Sequence, residues 1–382
     1  MARIRVATNL AYDDVRGVYY ATFNYGNGVK TVKTYSNKKQ AELELKVFLA
    51  DKAKGAILKP GNETLADWSN YWIEKICSPN AEETTVYGYK NILFNHIVPA
   101  MGKIELSKLT AAKIREYYEC KLSGGTNAKP LSPNTLRKHH DVLRMVLDSA
   151  VQEELIIKNP MIAVKPPKTV EVEHSIYTPK ELARLFELVH GNRLEIVVKL
   201  AGYYGLRREE ICGLMWKDID FEKRFFSINR SMTVAGGKIV IKPPKTSNSK
   251  RKQYMVDDIY NTLLTLKEEQ DGYKKLLGDD YISVGFVLQW PDGKPYRPNY
   301  ISELFAKFLS DNQLRKIKLH ELRHTFASIA NDMDVSLFDI SKALGHGNTA
   351  TTGKVYTHLF DGTNRKVIDR VAEAIQNMSI ED

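Results

Sequence analysis

Residues 164–182 read VKPPKTVEVEHSIYTPKEL, with three prolines and no helical period. Proline lacks a backbone N–H and disfavours the α conformation of the residue before it, so neither a helix nor a central strand runs through this stretch. A chain of 382 residues is also too long for one ordinary hydrophobic core. The proline-rich stretch is therefore a linker, and the chain on either side folds separately. Structure restarts at Thr178-Pro179-Lys180-Glu181, where a threonine N-cap, a first-turn proline and a glutamate three residues on form a capping box.

Before the linker the pattern changes once more. RGVYYATFNYG and VKTVKTYS alternate aromatic or β-branched residues with polar ones, and Gly26-Asn27-Gly28 punctuates them as a hairpin turn would. Ser36 then precedes NKKQAELELKVFLADKAKG, a helix pattern ending at Gly55. Residues 60–165 are helical in pattern throughout. Thr64 opens a helix with Leu65, Trp68, Trp72 and Ile76 on one stripe, TAAKIREYYECKL ends at Gly124-Gly125, and Ser132-Pro133 opens a long third pattern. Beyond residue 175 the chain is mostly helical with a strand-rich insertion at 224–256. The expected fold is multidomain and mainly α with small β-sheets. It comprises an α+β domain over 1–58 (three strands plus a helix), a helical domain over 60–165 and a mixed α/β domain over 175–382.

The net charge is +10, and it is unevenly spread: residues 1–60 hold 11 Lys/Arg against 5 Asp/Glu, whereas 61–168 hold 14 against 12. A basic excess concentrated in a small segment suits a polyanion-binding module; the alternative is a solvated basic surface. A twisted ribbon can enter a DNA major groove, which makes Tyr20, Thr22, Asn24 and Lys33 candidate DNA contacts. Arg137, Lys138 and His139, from an RKHH run expected to be exposed, are candidate phosphate contacts. No run approaches the 18 apolar residues of a membrane span, and residues 1–20 lack a signal-peptide core. Three scattered cysteines (Cys77, Cys120, Cys212) match neither a disulfide framework nor a zinc site, so the reducing cytoplasm is the expected compartment, with no membrane partner.

The chemistry resides in the last domain. GLRREEICGL places Arg207 just after a glycine, HELRHTFAS sets His320 and Arg323 three apart, PPKTSNSKR puts Lys245 at an expected hairpin tip, and LGHGNTATTGKVYTH holds His346 and Tyr356 ten apart. Each signal alone is common and usually means only a surface residue. Together they supply two guanidiniums, an ammonium, two imidazoles and a phenol, with no carboxylate cluster to hold a metal. Guanidiniums bind a tetrahedral phosphate bidentately and stabilise its developing charge. A deprotonated phenol can attack phosphorus, and a lysine can protonate the leaving alkoxide. The set suits metal-free transfer of a DNA phosphodiester onto tyrosine.

With these motifs in order, the whole chain resembles tyrosine recombinases of the phage lambda integrase family, in layout most like conjugative-transposon and prophage integrases. The resemblance implies an arm-type DNA-binding domain, a SAM-like core-binding domain and a catalytic domain with a C-terminal tail. It implies that Arg207 and Arg323 clamp the scissile phosphate and that Lys245 acts as general acid, with Lys242 and Lys250 as alternatives because the local motif departs from the family's. It further implies acid–base transfer by His320, a phosphate hydrogen bond from His346, Tyr356 as nucleophile, and Glu210 in support. Expected partners are double-stranded core and arm attachment sites and other copies in a tetramer, with an excisionase and a host DNA-bending protein as further family partners. No cofactor is expected, because a 3′-phosphotyrosyl bond conserves the energy of the broken phosphodiester. A type IB-like topoisomerase or resolvase shares this chemistry, and a non-catalytic DNA-binding regulator would share the charge. Beyond the motifs, Val367, Ile368, Val371, Ala372 and Ile375 form an apolar stripe at helical spacing, to dock on the same chain or on a neighbour.

Overall fold

The computed structural model of the chain describes residues 3–26, 29–53, 62–124, 129–170, 175–243 and 250–345. It divides into two compact units, 1–171 and 172–382, and the division falls inside the proline-rich linker. Among the described residues no helix is long and apolar enough to cross a membrane.

The first unit holds two separate cores. Four strands, β1 (Ile4–Ala7), β2 (Leu10–Asp13), β3 (Val18–Gly26) and β4 (Val29–Tyr35), form an antiparallel meander in that order, followed by helix α1 (Lys38–Ala53). The sheet thus has four strands where three were expected. β1 and β2 are four residues each, too short for alternation to register in the sequence, and Asn9 at φ 65° makes the tight turn between them. On β3 the odd positions Tyr19, Ala21 and Phe23 face α1 and pack with Leu10, Tyr35, Ala41, Leu45 and Phe48. Period two then puts Tyr20, Thr22 and Asn24 on the opposite face, beside their cross-strand partners Thr34, Val32 and Lys30.

Lys33 does not share that face. It stands opposite Ala21, on the helix side, where its Nζ lies 3.8 Å from the Glu44 carboxylate and 5.3 Å from the Phe23 ring centre. The lysine that completes the outer face is Lys30, opposite Asn24, together with Arg3, whose guanidinium lies 3.9 Å from the Tyr20 ring centre.

The helical part comprises α2 (Leu65–Tyr71), α3 (Glu83–Ile92), α4 (Val98–Met101), α5 (Ala111–Ser123) and α6 (Pro133–Gln152). Thr64 and Asp67 form a capping box on α2, and Ser132 caps α6 ahead of Pro133. Two tryptophans lock α2 and the turn after it onto α6: Trp68 Nε1 donates to Val146 O (2.8 Å) and Trp72 Nε1 to Ser149 Oγ (3.0 Å). The RKHH run is only half exposed. His139 is 1 % exposed, and with His140 it extends the buried stripe of Leu136, Leu143 and Leu147. Their Nδ1 atoms bond the hydroxyls of Tyr117 (2.8 Å) and Tyr118 (2.9 Å) on α5. Burial, then the charges of His96 and Lys121, pushes the His139 pKa down to about 4, so it is a neutral packing residue. Arg137 and Lys138 remain on the outer side, Arg137 beside Asp141 at 3.5 Å.

The second unit contains α7 (Pro179–Val189), α8 (Glu195–Tyr204), α9 (Arg208–Cys212), five short strands, α10 (Asp257–Leu277), α11 (Pro298–Asp311), α12 (Glu321–Asp332) and α13 (Leu337–Leu344). α8 is buried along almost its whole length and packs against α7, α10 and α12. Strands β5 (Ile219–Asp220), β6 (Phe225–Ile228) and β9 (Arg251–Tyr254) form one sheet, and β7 (Ser231–Ala235) pairs with β8 (Lys238–Lys242) in another. The hairpin turn is therefore Gly236-Gly237, both at positive φ as a two-residue primed turn requires. β8 pairs back onto β7 while β9 pairs with β6, so the two strands that flank 244–249 are not each other's partners, and the expected hairpin tip at Lys245 lies outside the described residues.

Candidate active site

α8 ends in a left-handed glycine, Gly205 (φ 61°), and a Cβ there would stand 2.5 Å from Leu344 Cδ2 and 2.8 Å from Phe326 Cδ1. Only glycine makes the turn and admits that close approach. The turn throws Arg207 out in extended conformation immediately before α9. Glu210, one turn into α9, reaches back: its Oε2 accepts the Arg207 backbone N–H (3.0 Å) and its Oε1 accepts Arg207 Nη1 (2.9 Å). The pair caps the helix and fixes the guanidinium at once.

Glu210 is only 6 % exposed and serves a second arginine. Arg251, the first residue of β9, donates Nη2 to Oε2 (2.9 Å) and Nη1 to Oε1 (3.2 Å). Burial alone would raise the Glu210 pKa. The Arg251 hydrogen bonds, the charges of Arg251 and Arg207, and the Arg207 backbone bond outweigh it and hold the carboxyl below its ordinary value.

Arg323 sits in the first turn of α12 and is 2 % exposed. Its Nη1 donates to Gly205 O (2.6 Å) and its Nη2 to Leu344 O (2.9 Å). One guanidinium thus ties the turn before Arg207 to the end of α13, whose last carbonyls precede His346 by only a few residues. Gln253 of β9 adds a bond from Nε2 to Ala343 O (3.2 Å). His320 lies at the N-cap of α12 and is exposed, so His320 and Arg323 flank the start of the helix, one just outside it and one in its first turn. Its ring packs edge-to-face on His324 at 5.1 Å and lines a cleft with Arg208, Glu209, Lys316 and Lys318. A helix N-terminus beside several cations favours an anion there.

The structure therefore gathers Arg207, Glu210 and Arg323 around the Gly205 turn, and places His320 at the start of α12 in a cleft shared with Arg208 and Glu209. Lys245, His346 and Tyr356 lie outside the described residues. Of the alternative lysines, Lys242 is half-buried at the end of β8 and Lys250 is exposed just before β9. Among the described residues no group of three or more His, Cys, Asp and Glu could hold a metal ion. Arg251 was missed in the sequence. Its signal was the strand alternation: Arg251 and Gln253 face the same side as buried Ile228 and Phe226, and an inward arginine needs a carboxylate partner.

Residues 176–362 match the model of the phage integrase family, and residues 64–122 match that of the phage integrase N-terminal SAM-like domain. The chain belongs to the phage integrase family. It is a tyrosine recombinase related to mobile-element integrases. The tyrosine recombinase XerC-like protein of Caldanaerobacter subterraneus is 26 % identical over 84 % of this chain and 86 % of its own length. The ICEBs1 integrase of Bacillus subtilis is 25 % identical over 92 % and 94 %. The recombinase also shares its fold with the Tn1549 transposon integrase, solved with a circular intermediate DNA. That likeness has a TM-score of 0.66 and 20 % identity, and covers 81 % of this chain and 99 % of that one. A lambda integrase dimer on a core site aligns with TM-score 0.55 and 17 % identity, over 93 % and 96 %.

Proposed function

We propose that this recombinase integrates and excises a mobile element by cutting and rejoining DNA at attachment sites, with Tyr356 as nucleophile. The Tyr356 oxygen attacks the scissile phosphorus, the P–O5′ bond breaks, and a 3′-phosphotyrosyl bond forms. Lys245 delivers a proton to the departing 5′-oxygen, and His320 serves in acid–base transfer. Arg207 and Arg323 hold the phosphate, His346 hydrogen-bonds it, and Glu210 holds Arg207. The incoming 5′-hydroxyl of another strand reverses the step, so no cofactor is consumed. The observation that carries this reading is the Arg323 guanidinium bonded to Gly205 O (2.6 Å) and Leu344 O (2.9 Å), because it brings three separate motifs to one place. The test is incubation with attachment-site DNA in EDTA and resolution on denaturing gels. A covalent protein–DNA adduct is expected, and its strict dependence on magnesium would contradict the reading.

The N-terminal sheet is the arm-binding module in this reading, α2–α6 form the core-binding domain, and the following domain is catalytic. The 1–55 fragment is expected to bind DNA at low salt and to lose affinity steeply as salt rises, through counterion release. Within it, Tyr20→Ala and Lys30→Ala should weaken binding more than Lys33→Ala, whose side chain lies on the helix side of the sheet. Gel shifts over a salt series decide this, and equal effects from all three would put the outer face in doubt. Removing 1–55 from the full chain should spare core-site cleavage and impair complete recombination.

On DNA the recombinase acts as a tetramer, assisted by an excisionase and a host DNA-bending protein. The apolar stripe at Val367, Ile368, Val371, Ala372 and Ile375, outside the described residues, passes to the neighbouring subunit and closes a ring of four. Truncation after Leu359 should then reduce tetramer yield on native gels with a suicide substrate and deregulate cleavage. Wild-type tetramer yield and recombination would show instead that the tail docks on its own chain.

A further inference from the structure

Arg251 belongs to none of the six positions assigned a chemical role. It is nevertheless the largest commitment of buried charge beside them. Its side chain is 8 % exposed and that of Glu210 7 %, so the two ions are buried against each other. A buried, bidentate arginine–carboxylate pair confers little net stability over an apolar pair of the same size, whereas its fixed planar geometry orients whatever else the carboxylate binds. Here the other ligand of the carboxylate is Arg207, through both its backbone N–H and its guanidinium.

The Arg251 guanidinium also lies against the end of α13, on the side of Nη1 and Cδ. A Cβ on Gly345 (φ 66°) would fall 2.6 Å from Arg251 Nη1 and 3.1 Å from its Cζ, so the left-handed turn that leads into His346 rests directly on this side chain. Two residues along the same strand, Gln253 bonds Ala343 O. β9 thus touches both the support of Arg207 and the end of α13.

We propose that Arg251 is a positioning residue for strand cleavage: through Glu210 it sets the Arg207 guanidinium, and through Gly345 it seats the turn that ends α13. The inference rests on the assignment of Arg207 to the scissile phosphate. Reacting groups displaced by about 1 Å can lose ~10²-fold in rate, which is the size of effect expected when this support is removed.

The experiment measures single-turnover cleavage of a suicide core-site substrate and, separately, DNA affinity and thermal melting, for the full-length chain. Arg251→Gln should cleave ~10²-fold more slowly while core-site affinity stays near wild type. Arg251→Lys, which keeps the charge but not the fork, should recover part of the rate. Combined with Glu210→Gln, the Arg251→Gln loss should be far from additive, because the two changes remove one and the same support. Arg251→Lys keeps the charge and supplies the same readouts should Arg251→Gln fail to fold. Wild-type cleavage by either variant, a rate loss matched by loss of DNA affinity, or strict additivity with Glu210→Gln would overturn the proposal. Arg207→Ala run alongside separates the two ideas. If it is inactive while Arg251 variants cleave normally, only the present inference fails. If Arg207→Ala itself cleaves normally, the assignment of Arg207 fails and this inference with it.

Discussion

Tyr356→Phe is expected to abolish covalent adducts with attachment-site DNA while leaving DNA affinity close to wild type. The substitution deletes a single hydroxyl, and with it the only atom in the proposed mechanism able to form the bond to phosphorus. It removes no positive charge, and positive charge supplies most of the affinity for a phosphate backbone. Denaturing gels score the adduct and gel shifts score the affinity. A Tyr356→Phe protein that still forms adducts would transfer the nucleophile's role elsewhere, and one that loses DNA binding in parallel would make Tyr356 a structural residue.

Arg207→Ala and Arg323→Ala should each slow cleavage by roughly 10²–10³-fold, the usual weight of a donor aimed at charge that develops in the transition state. The structure distinguishes the two in a second measurement. The Arg207 side chain is 33 % exposed, and after its removal Glu210 keeps the bidentate bond from Arg251. Arg207→Ala should therefore melt near the wild-type temperature. Arg323 is buried and satisfies Gly205 O and Leu344 O, so its removal leaves two carbonyls without that donor at a cost of ~1–3 kcal/mol each. Arg323→Ala should melt several degrees lower as well as cleave slowly. Equal melting of the two variants would mean that the Arg323 ties carry no weight in solution.

The fold class, the helical stretches and the family were legible in the residues, because each rests on local information. Pro166 and Pro167 exclude a helix from the linker and Pro179 starts the next one, Thr64, Ser132 and Thr178 cap helices through atoms within three residues, and the stripe of Trp68 and Trp72 follows from the helical period. Strands as short as β1 and β2, at four residues each, give no such signal, and the sheet has one strand more than the three expected. Lys33 was assigned to the wrong face, and His139 was taken for a surface residue in a charged run. In both cases the neighbours in sequence are polar, and only the register against β4's partner strand, or the seating of α6 on α5, says which way the side chain turns.

The residues proposed for the chemistry are read from type, order and spacing, since a phosphoryl transfer to tyrosine needs those groups whatever holds them. Type, order and spacing along the chain suffice to propose Arg207, His320 and Arg323 for one reaction. They could not show that Arg323 holds the two turns together, nor that Arg251 stands behind Glu210 from 41 positions away. Those arrangements depend on which strand pairs with which and on a glycine turn packed so closely that a Cβ there would stand 2.5 Å from a leucine methyl group, distances set by the packed fold and by no local preference of the backbone.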